Sequence, residues 1–248
     1  MRLSVVVIAF NESANIGACL DSVQFADECV VLDNGSTDGT QAIATARGAR
    51  LETSADWPGF GPQKNRVLAM ATGDWVLSLD ADERVTPELQ TEIESAMRQG
   101  GAFAYTVPRL SSFCGTPIRH SGWYPDRVLR LFPRGQGRFS DDLVHEKVLT
   151  DLPVRSLKSH LLHESFRNFE AVLEKINRYS TASAVGMQQK GRRASFSSAI
   201  GHGLWAFFRT YFLRLGFLDG RMGFAVAVSS AEGSYYRYLK LWLMQQSK

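Results

Sequence analysis

The sequence predicts an α/β domain with a mostly parallel central sheet, followed by a C-terminal helical extension. Three observations carry that expectation. Strand-like and helix-like stretches alternate through the first eighty residues, as parallel strands joined by crossover helices do. Residues 3–10 (Leu-Ser-Val-Val-Val-Ile-Ala-Phe) form an apolar run with almost no alternation, as suits a strand covered on both faces. From residue 165 onward Phe166, Phe169, Val172, Leu173, Ile176 and Tyr179 recur at the spacing of one helix face.

Taken in order, the first strand runs into polar Asn11-Glu12, and a helix is expected over 13–25. A second strand, Cys29-Val-Val-Leu-Asp33, meets Asn34-Gly-Ser-Thr-Asp-Gly39, whose turn and capping residues open the next helix. A third strand falls at 49–53, a helix at 62–71 and a fourth strand at 75–80. Glu83 and Pro87 suit the start of a helix reaching residue 99. Shorter strands are expected at 102–110, 127–132 and 154–162, among Gly/Pro-rich turns. In parallel sheets ligands bind at the carboxyl ends of strands. That rule groups Asn11-Glu12, Asp33 and Asp80-Ala81-Asp82. The expected domains are 1–164, divided into 1–99 and 100–164, and the helical 165–248.

The 248 residues suit one α/β domain with an appendage, and 44% hydrophobic with 21% charged residues describes a folded chain. Charge is unevenly placed: residues 1–154 carry 14 Lys and Arg against 20 Asp and Glu, and residues 155–248 carry 14 against 5. An acidic front suits a divalent cation and a basic rear an anionic partner, although solvated helix faces give the same imbalance. No recognition motif for nucleic acid is present, and none is expected as a partner. Cys19, Cys29 and Cys114 lack CxxC spacing and are odd in number, which fits a reducing cytosol rather than a disulfide framework or zinc site. The run 3–10 is short, lacks a cleavage site and reads as a strand rather than a secretion signal.

Asp80-Ala81-Asp82 puts two carboxylates on one side of an extended or turning backbone. Such hard oxygen ligands suit Mg²⁺ or Mn²⁺, which grips diphosphates in turn; the same pattern also caps helices. Val5-Val-Val-Ile-Ala-Phe-Asn-Glu12, Val31-Leu-Asp-Asn-Gly-Ser-Thr-Asp-Gly39, Lys64-Asn65 and Leu77-Ser-Leu-Asp-Ala-Asp-Glu83 follow one another in order. This series resembles family 2 of the inverting glycosyltransferases, whose fold is termed GT-A, over residues 1–90.

The resemblance implies a role for each matching residue. Phe10, Asn11 and Glu12 would line a nucleotide pocket, Asp33 would bond the base or ribose, and Lys64 would contact the nucleotide. Asp80 would face the ribose or a metal-bound water, and Asp82 would bind a divalent cation, Mg²⁺ or Mn²⁺. On this reading 1–99 binds the nucleotide sugar and 100–164 the acceptor. Capping remains the alternative for Asp33, and a solvated helix position for Lys64. Inverting transfer is one displacement in which a carboxylate takes the acceptor proton. Glu146, in Leu143-Val-His-Glu146, is the candidate base, with Asp141 and Asp142 as competitors. His163 follows a strand as a further metal ligand would, or is a hydrogen-bonded structural histidine; His145 would orient the loop. His120, Trp123, Tyr124, Asp126, Arg127 and Arg130 suit an acceptor pocket or an ordinary strand and its surroundings.

In the tail, Phe196, Ile200, Leu204, Phe207, Phe208, Tyr211 and Leu215 share one helical face, with Arg209 and Arg214 interrupting the apolar run. A membrane span needs about 20 mostly apolar residues. The expectation is a helix in the membrane interface, aided by Arg192, Arg193, Arg221, Arg237 and Lys240, against the alternative of a hairpin packed on the catalytic domain. The chain as a whole, with His145-Glu146, His163 and Gly216-Phe-Leu-Asp-Gly220, resembles the family 2 lipopolysaccharide core β-glucosyltransferases. That implies a UDP-sugar donor, expected to be UDP-glucose, and a lipid-linked saccharide acceptor. It also implies a peripheral place at the anionic inner face of the cytoplasmic membrane. The competing readings are transfer to a polyprenyl phosphate and a silent nucleotide-sugar or lipid-binding module. A dinucleotide-dependent oxidoreductase is disfavoured, since Asn11-Glu12 stands where Gly-x-Gly-x-x-Gly would be needed.

Overall fold

The computed structural model describes residues 1–141 and 146–246. Its contacts fall into two compact units: Met1–Arg109 with Asp126–His163, and Leu110–Pro125 with Glu164–Lys248. The segment Leu110–Pro125, expected in the first domain, therefore belongs with the C-terminal helices. The reason is apolar packing: Phe113 and Ile118 share a buried cluster with Val172 and Val226.

In chain order the strands are β1 (Leu3–Ala9), β2 (Glu28–Asp33), β3 (Arg50–Thr53), β4 (Trp75–Asp80), β5 (Glu83–Val85) and β6 (Ala104–Phe113). They continue as β7 (Thr116–Pro117), β8 (Asp126–Pro133), β9 (Arg138–Phe139), β10 (Val148–Leu149), β11 (Val154–Ser156) and β12 (Leu161–Phe166). The helices are α1 (Ile16–Asp21), α2 (Thr40–Ala46), α3 (Phe60–Met70), α4 (Pro87–Gln99), α5 (Phe169–Gln189), α6 (Phe196–Phe208) and α7 (Gly220–Gln246).

The main sheet has the order β3-β2-β1-β4-β8-β6-β12-β5, with β7 and β11 paired to β6. Neighbours among β3, β2, β1 and β4 run parallel, and β8 is antiparallel to β4. β1 shows why its sequence does not alternate. Leu3, Val5, Val7 and Ala9 face one buried cluster with Ile16 and Leu20 of α1 and Leu89 and Ile93 of α4. Val6 faces the other, with Val67 of α3. The chain leaves β1 toward β2 on one side and returns to place β4 on the other, so the strand order reverses beside β1. A crevice at such a reversal is where open α/β sheets bind ligands.

Four elements differ from expectation. The helix expected over 13–25 is only Ile16–Asp21, and the Ser22 hydroxyl donates to the Cys19 carbonyl (2.6 Å) where it ends. Glu83–Val85 is a strand rather than a helix approach, paired antiparallel to β12 with His163 opposite Glu83. The strand expected over 154–162 is split into β11 and β12. Between them the Glu92 carboxylate accepts from the backbone N–H of Lys158 (2.8 and 3.0 Å) and Ser159 (2.8 Å). Phe166 ends β12, and α5 begins at Phe169 under an Asn168 cap.

In the second unit the expected helix over 195–217 is α6, a π-helical turn (Arg209–Leu213) and a 3₁₀ turn (Gly216–Asp219). Ser195 and Ser198 cap the start of α6 reciprocally, and Leu215 takes a left-handed φ of 55° at the break. Gly216 is needed there, because a Cβ would stand 2.8 Å from the Thr210 carbonyl oxygen and 2.9 Å from the Ser121 hydroxyl.

Candidate active site

The carboxyl ends of β1 and β2 are knitted together by turn residues. Asn11 has a φ of 55°, a conformation asparagine tolerates. Its side-chain oxygen accepts from Thr37 N–H (2.9 Å), and its own N–H donates to Ser36 Oγ (2.8 Å). Glu12 N–H donates to Thr40 Oγ1 (2.8 Å), and its carboxylate accepts from Asn15 (2.7 Å). Asp33 is fully buried and accepts from Gly35 N–H, Ser36 N–H and hydroxyl, and the Gln41 amide. Asp33 thus builds the turn that follows β2. Phe10, by contrast, is 56% exposed at the tip of β1.

At the end of β4 an ionic network begins. Asp80 Oδ1 lies 2.7 Å from Lys64 Nζ and Oδ2 lies 2.5 Å from Arg130 Nη2. Lys64, on α3, is only 4% exposed, so it is no solvated helix residue. Its ammonium also lies 2.8 Å from Glu146 Oε1, which joins the end of β4 to the candidate base. Arg130 continues to Glu83 Oε1 at 2.6 Å, and Glu83 Oε2 accepts from Asp80 N–H at 2.9 Å. Arg109 lies 3.4 Å from Glu83 and 2.6 Å from Asp126. Burial pushes the Asp80 carboxyl up, but the Arg130 and Lys64 charges outweigh it and hold the group below the usual carboxylate range. Burial works against the Arg130 cation, yet Asp80 and Glu83 raise it above its ordinary value.

Asp82 stands apart from that network. Its Oδ2 lies 3.2 Å from His163 Nε2, and both side chains are partly exposed. The pairing of β5 with β12 creates this neighbourhood by setting His163 opposite Glu83. Among the described residues no cluster of three or more His, Cys, Asp or Glu is disposed to hold a metal. The Asp82 carboxylate would suit either Mg²⁺ or Mn²⁺, and an imidazole suits the transition metal Mn²⁺ better than the oxygen-seeking Mg²⁺.

The loop carrying Glu146 is anchored on α3. Asn65 grips Phe139 of β9 twice, its amide donating to the carbonyl (3.0 Å) and its oxygen accepting from the N–H (2.7 Å). Ser140 N–H donates to the Lys147 carbonyl (2.9 Å), closing the loop. A side chain at Gly61 would collide with the Ser140 carbonyl, its Cβ only 1.9 Å away. Asp141 is exposed, and Asp142 and His145 lie outside the described residues.

The family model for glycosyl transferase family 2 matches residues 4–151, the span that holds this network. The chain belongs to that family. It is 30% identical over 97% of its length to an uncharacterized glycosyltransferase of Rickettsia prowazekii, covering 86% of that protein. It is 29% identical over 96% of its length to LpsC, a lipopolysaccharide core biosynthesis glycosyltransferase of Rhizobium meliloti, covering 90% of it. The crystal structure of S. aureus TarS matches 72% of the chain at a TM-score of 0.50 and 16% identity. The chain spans only 40% of that longer protein, and the likeness is one of fold. The fold is GT-A.

For this family 2 enzyme, several residues group differently from their sequence neighbours. Arg130, read either with an acceptor pocket or as an ordinary strand residue, pairs with Asp80 and Glu83. Asp126 pairs with Arg109, and Arg127 donates to the Leu157 carbonyl (3.2 Å). His120 in the second unit is held by Asp219, with Nδ1 3.0 Å from Oδ1, and Trp123 packs against Phe113 and Phe166. Asp126, Arg127 and Arg130 thus belong to the first unit, and His120 and Trp123 to the second. Asn65 was legible only as the neighbour of Lys64; its grip on β9 depends on a contact 74 positions away.

Proposed function

We propose that this enzyme transfers a sugar, expected to be glucose from UDP-glucose, with inversion onto a hydroxyl of a lipid-linked envelope saccharide such as the lipopolysaccharide inner core. The observation that carries this reading is the bridge from Asp80 through Lys64 to Glu146, beside the Asp82 and His163 pair. A candidate base and a candidate cation site thus lie in one unit.

Glu146 takes the proton of the acceptor hydroxyl as its oxygen attacks the anomeric carbon. The new bond joins that oxygen to the carbon, and the old bond to the diphosphate oxygen breaks with its electron pair leaving on UDP. One displacement on an α-linked donor gives a β-linked product. Lys64 orients Glu146 and Asp80 together, and Arg130 fixes Asp80 from its other side. Phe10, Asn11, Glu12 and Asp33 surround the nucleotide, Asp33 acting through the turn it builds. Asp82 and His163 would hold Mg²⁺ or Mn²⁺, which supplies positive charge for the departing diphosphate. The hexose and acceptor assignments draw on the resemblance to lipopolysaccharide core β-glucosyltransferases and on the relative named for core biosynthesis. An acceptor fixed in the membrane places the enzyme peripherally at its cytoplasmic face, against anionic lipid.

A transfer assay with Glu146→Gln tests the reading. Transfer should collapse while donor binding by calorimetry stays near the parent's. Retained transfer would instead favour an acceptor that is already ionised, such as a polyprenyl phosphate.

A further inference from the structure

Helix α6 puts a row of small residues against α7 and several large apolar residues outward. On α6, Ala199, Gly203 and Ala206, followed by Thr210, recur at four, three and four positions and are all buried. A Cβ on Gly203 would meet Tyr235 Cβ of α7 at 3.1 Å, so this seam brings the two helices close. Ile200, Leu204, Trp205 and Phe208 occupy the other face. Leu204 is 68% and Trp205 53% exposed, and beyond the helix Leu213 is 58% and Leu218 57% exposed. Water-facing helices bury the large residues and expose the small or polar ones. Small residues between helices with bulky ones outside is the arrangement of helices in contact with lipid.

Charge selects the kind of lipid. Residues 190–246 hold eight Lys and Arg against two acids, Asp219 and Glu232. Neither acid is exposed: Asp219 is taken up by Arg119 N–H, His120 and Ser121, and Glu232 is partly buried. Just before α6 an open groove is lined by Lys190, Arg192 and Arg237, with Ser183 and Gly186. Three cations around a concave surface suit a phosphate-bearing headgroup. Among the described residues no helix is long and apolar enough to cross a membrane.

We propose that the outer face of α6 and the turn after it form a docking surface for an anionic phospholipid bilayer. Ile200, Leu204, Trp205, Phe208, Leu213 and Leu218 enter the interface, and Lys190, Arg192 and Arg237 bind headgroup phosphate. This deepens the reading of a lipid-linked acceptor and rests on it for its purpose. It gives the enzyme a fixed footing where such an acceptor is found.

Flotation of the full chain tests the surface, with vesicles of equal parts phosphatidylglycerol and phosphatidylethanolamine and others of phosphatidylcholine alone. The chain should float with the anionic vesicles and release in high salt. Leu204→Ser with Trp205→Ser should lower partitioning by about tenfold or more. Arg192→Gln with Arg237→Gln should lower it about fivefold per charge removed. Unchanged circular dichroism and melting confirm that the variants fold, and UDP release from the donor should match the parent. A parent chain that does not float, or a serine variant that floats equally well, overturns the surface. So does a stable dimer in sedimentation that the serine pair dissociates, since a second copy would then be the occupant. A parent chain that releases UDP but does not bind vesicles would refute the surface alone, and a parent chain that binds vesicles without any donor chemistry would refute the transferase reading alone.

Discussion

The two units differ in how many large apolar side chains they leave facing outward. In the first, Leu77, Leu79, Leu89 and Ile93 are at most 1% exposed, and charged residues gather where β4 ends. In the second, Ala199 and Ala206 fill the helix seam while Leu204 and Trp205 face outward. Removal of apolar surface from water accounts for the first arrangement. It does not account for the second, whose outward apolar face calls for a partner outside the chain. The proposed chemistry belongs to the first unit and the proposed attachment to the second.

The sharpest way to break that division is at the proposed base. Glu146→Gln should lower kcat for transfer by about 10²–10⁴, the usual contribution of a positioned general base. Steady-state kinetics with donor affinity measured separately checks this, and a loss below about tenfold would move the base elsewhere, Asp141 being the next carboxylate. Arg130→Met comes next, since it leaves buried Glu83 and Asp80 without their shared cation. Urea unfolding should show a loss of about 3–5 kcal/mol. The sign with pH follows from Asp80, whose carboxyl is held below the usual range. Its stabilisation is complete above the unfolded value of about 3.9 and is lost as pH falls through the lower folded value. Arg130→Met should therefore flatten the acid limb of stability against pH, and an unchanged limb would show that the pair contributes little.

Smaller effects sharpen the contrast within the helices. Gly203→Val should cost about 1–3 kcal/mol, because the seam with Tyr235 has no room for a branched side chain. Donor binding should be untouched, and a neutral result in thermal melting would mean that the helices separate easily. Smallest of all, Leu204→Ser should change stability by no more than about 0.5 kcal/mol, as at other exposed positions. A large loss there would make Leu204 part of a packed core.

The uneven legibility of the fold has the same physical origin. β1, β2 and β4 declared themselves because strands covered on both faces read as continuous apolar runs, and the polar residues ending them follow directly in the chain. The neighbourhood of Asp82 did not, because β5 has only three residues and forms by pairing with β12, some eighty positions on. The reading of Arg130 stayed open for a similar reason: its partners Asp80 and Glu83 lie 50 and 47 positions away. Lys64 kept a solvated helix position as its alternative in the sequence, and its burial between two carboxylates separates the two readings. In α6 the period was legible, but not which face would meet α7. Glycine and alanine carry little hydropathy signal, and the seam they form is a matter of steric fit.

The most direct test of the proposed chemistry is UDP release across a small panel of nucleotide sugars, with Mn²⁺ or Mg²⁺, with chelator, and with Asp82→Ala. The prediction is release from UDP-glucose that disappears both on chelation and in the Asp82 variant. No release from any donor, together with no metal-dependent nucleotide binding by calorimetry, would contradict it.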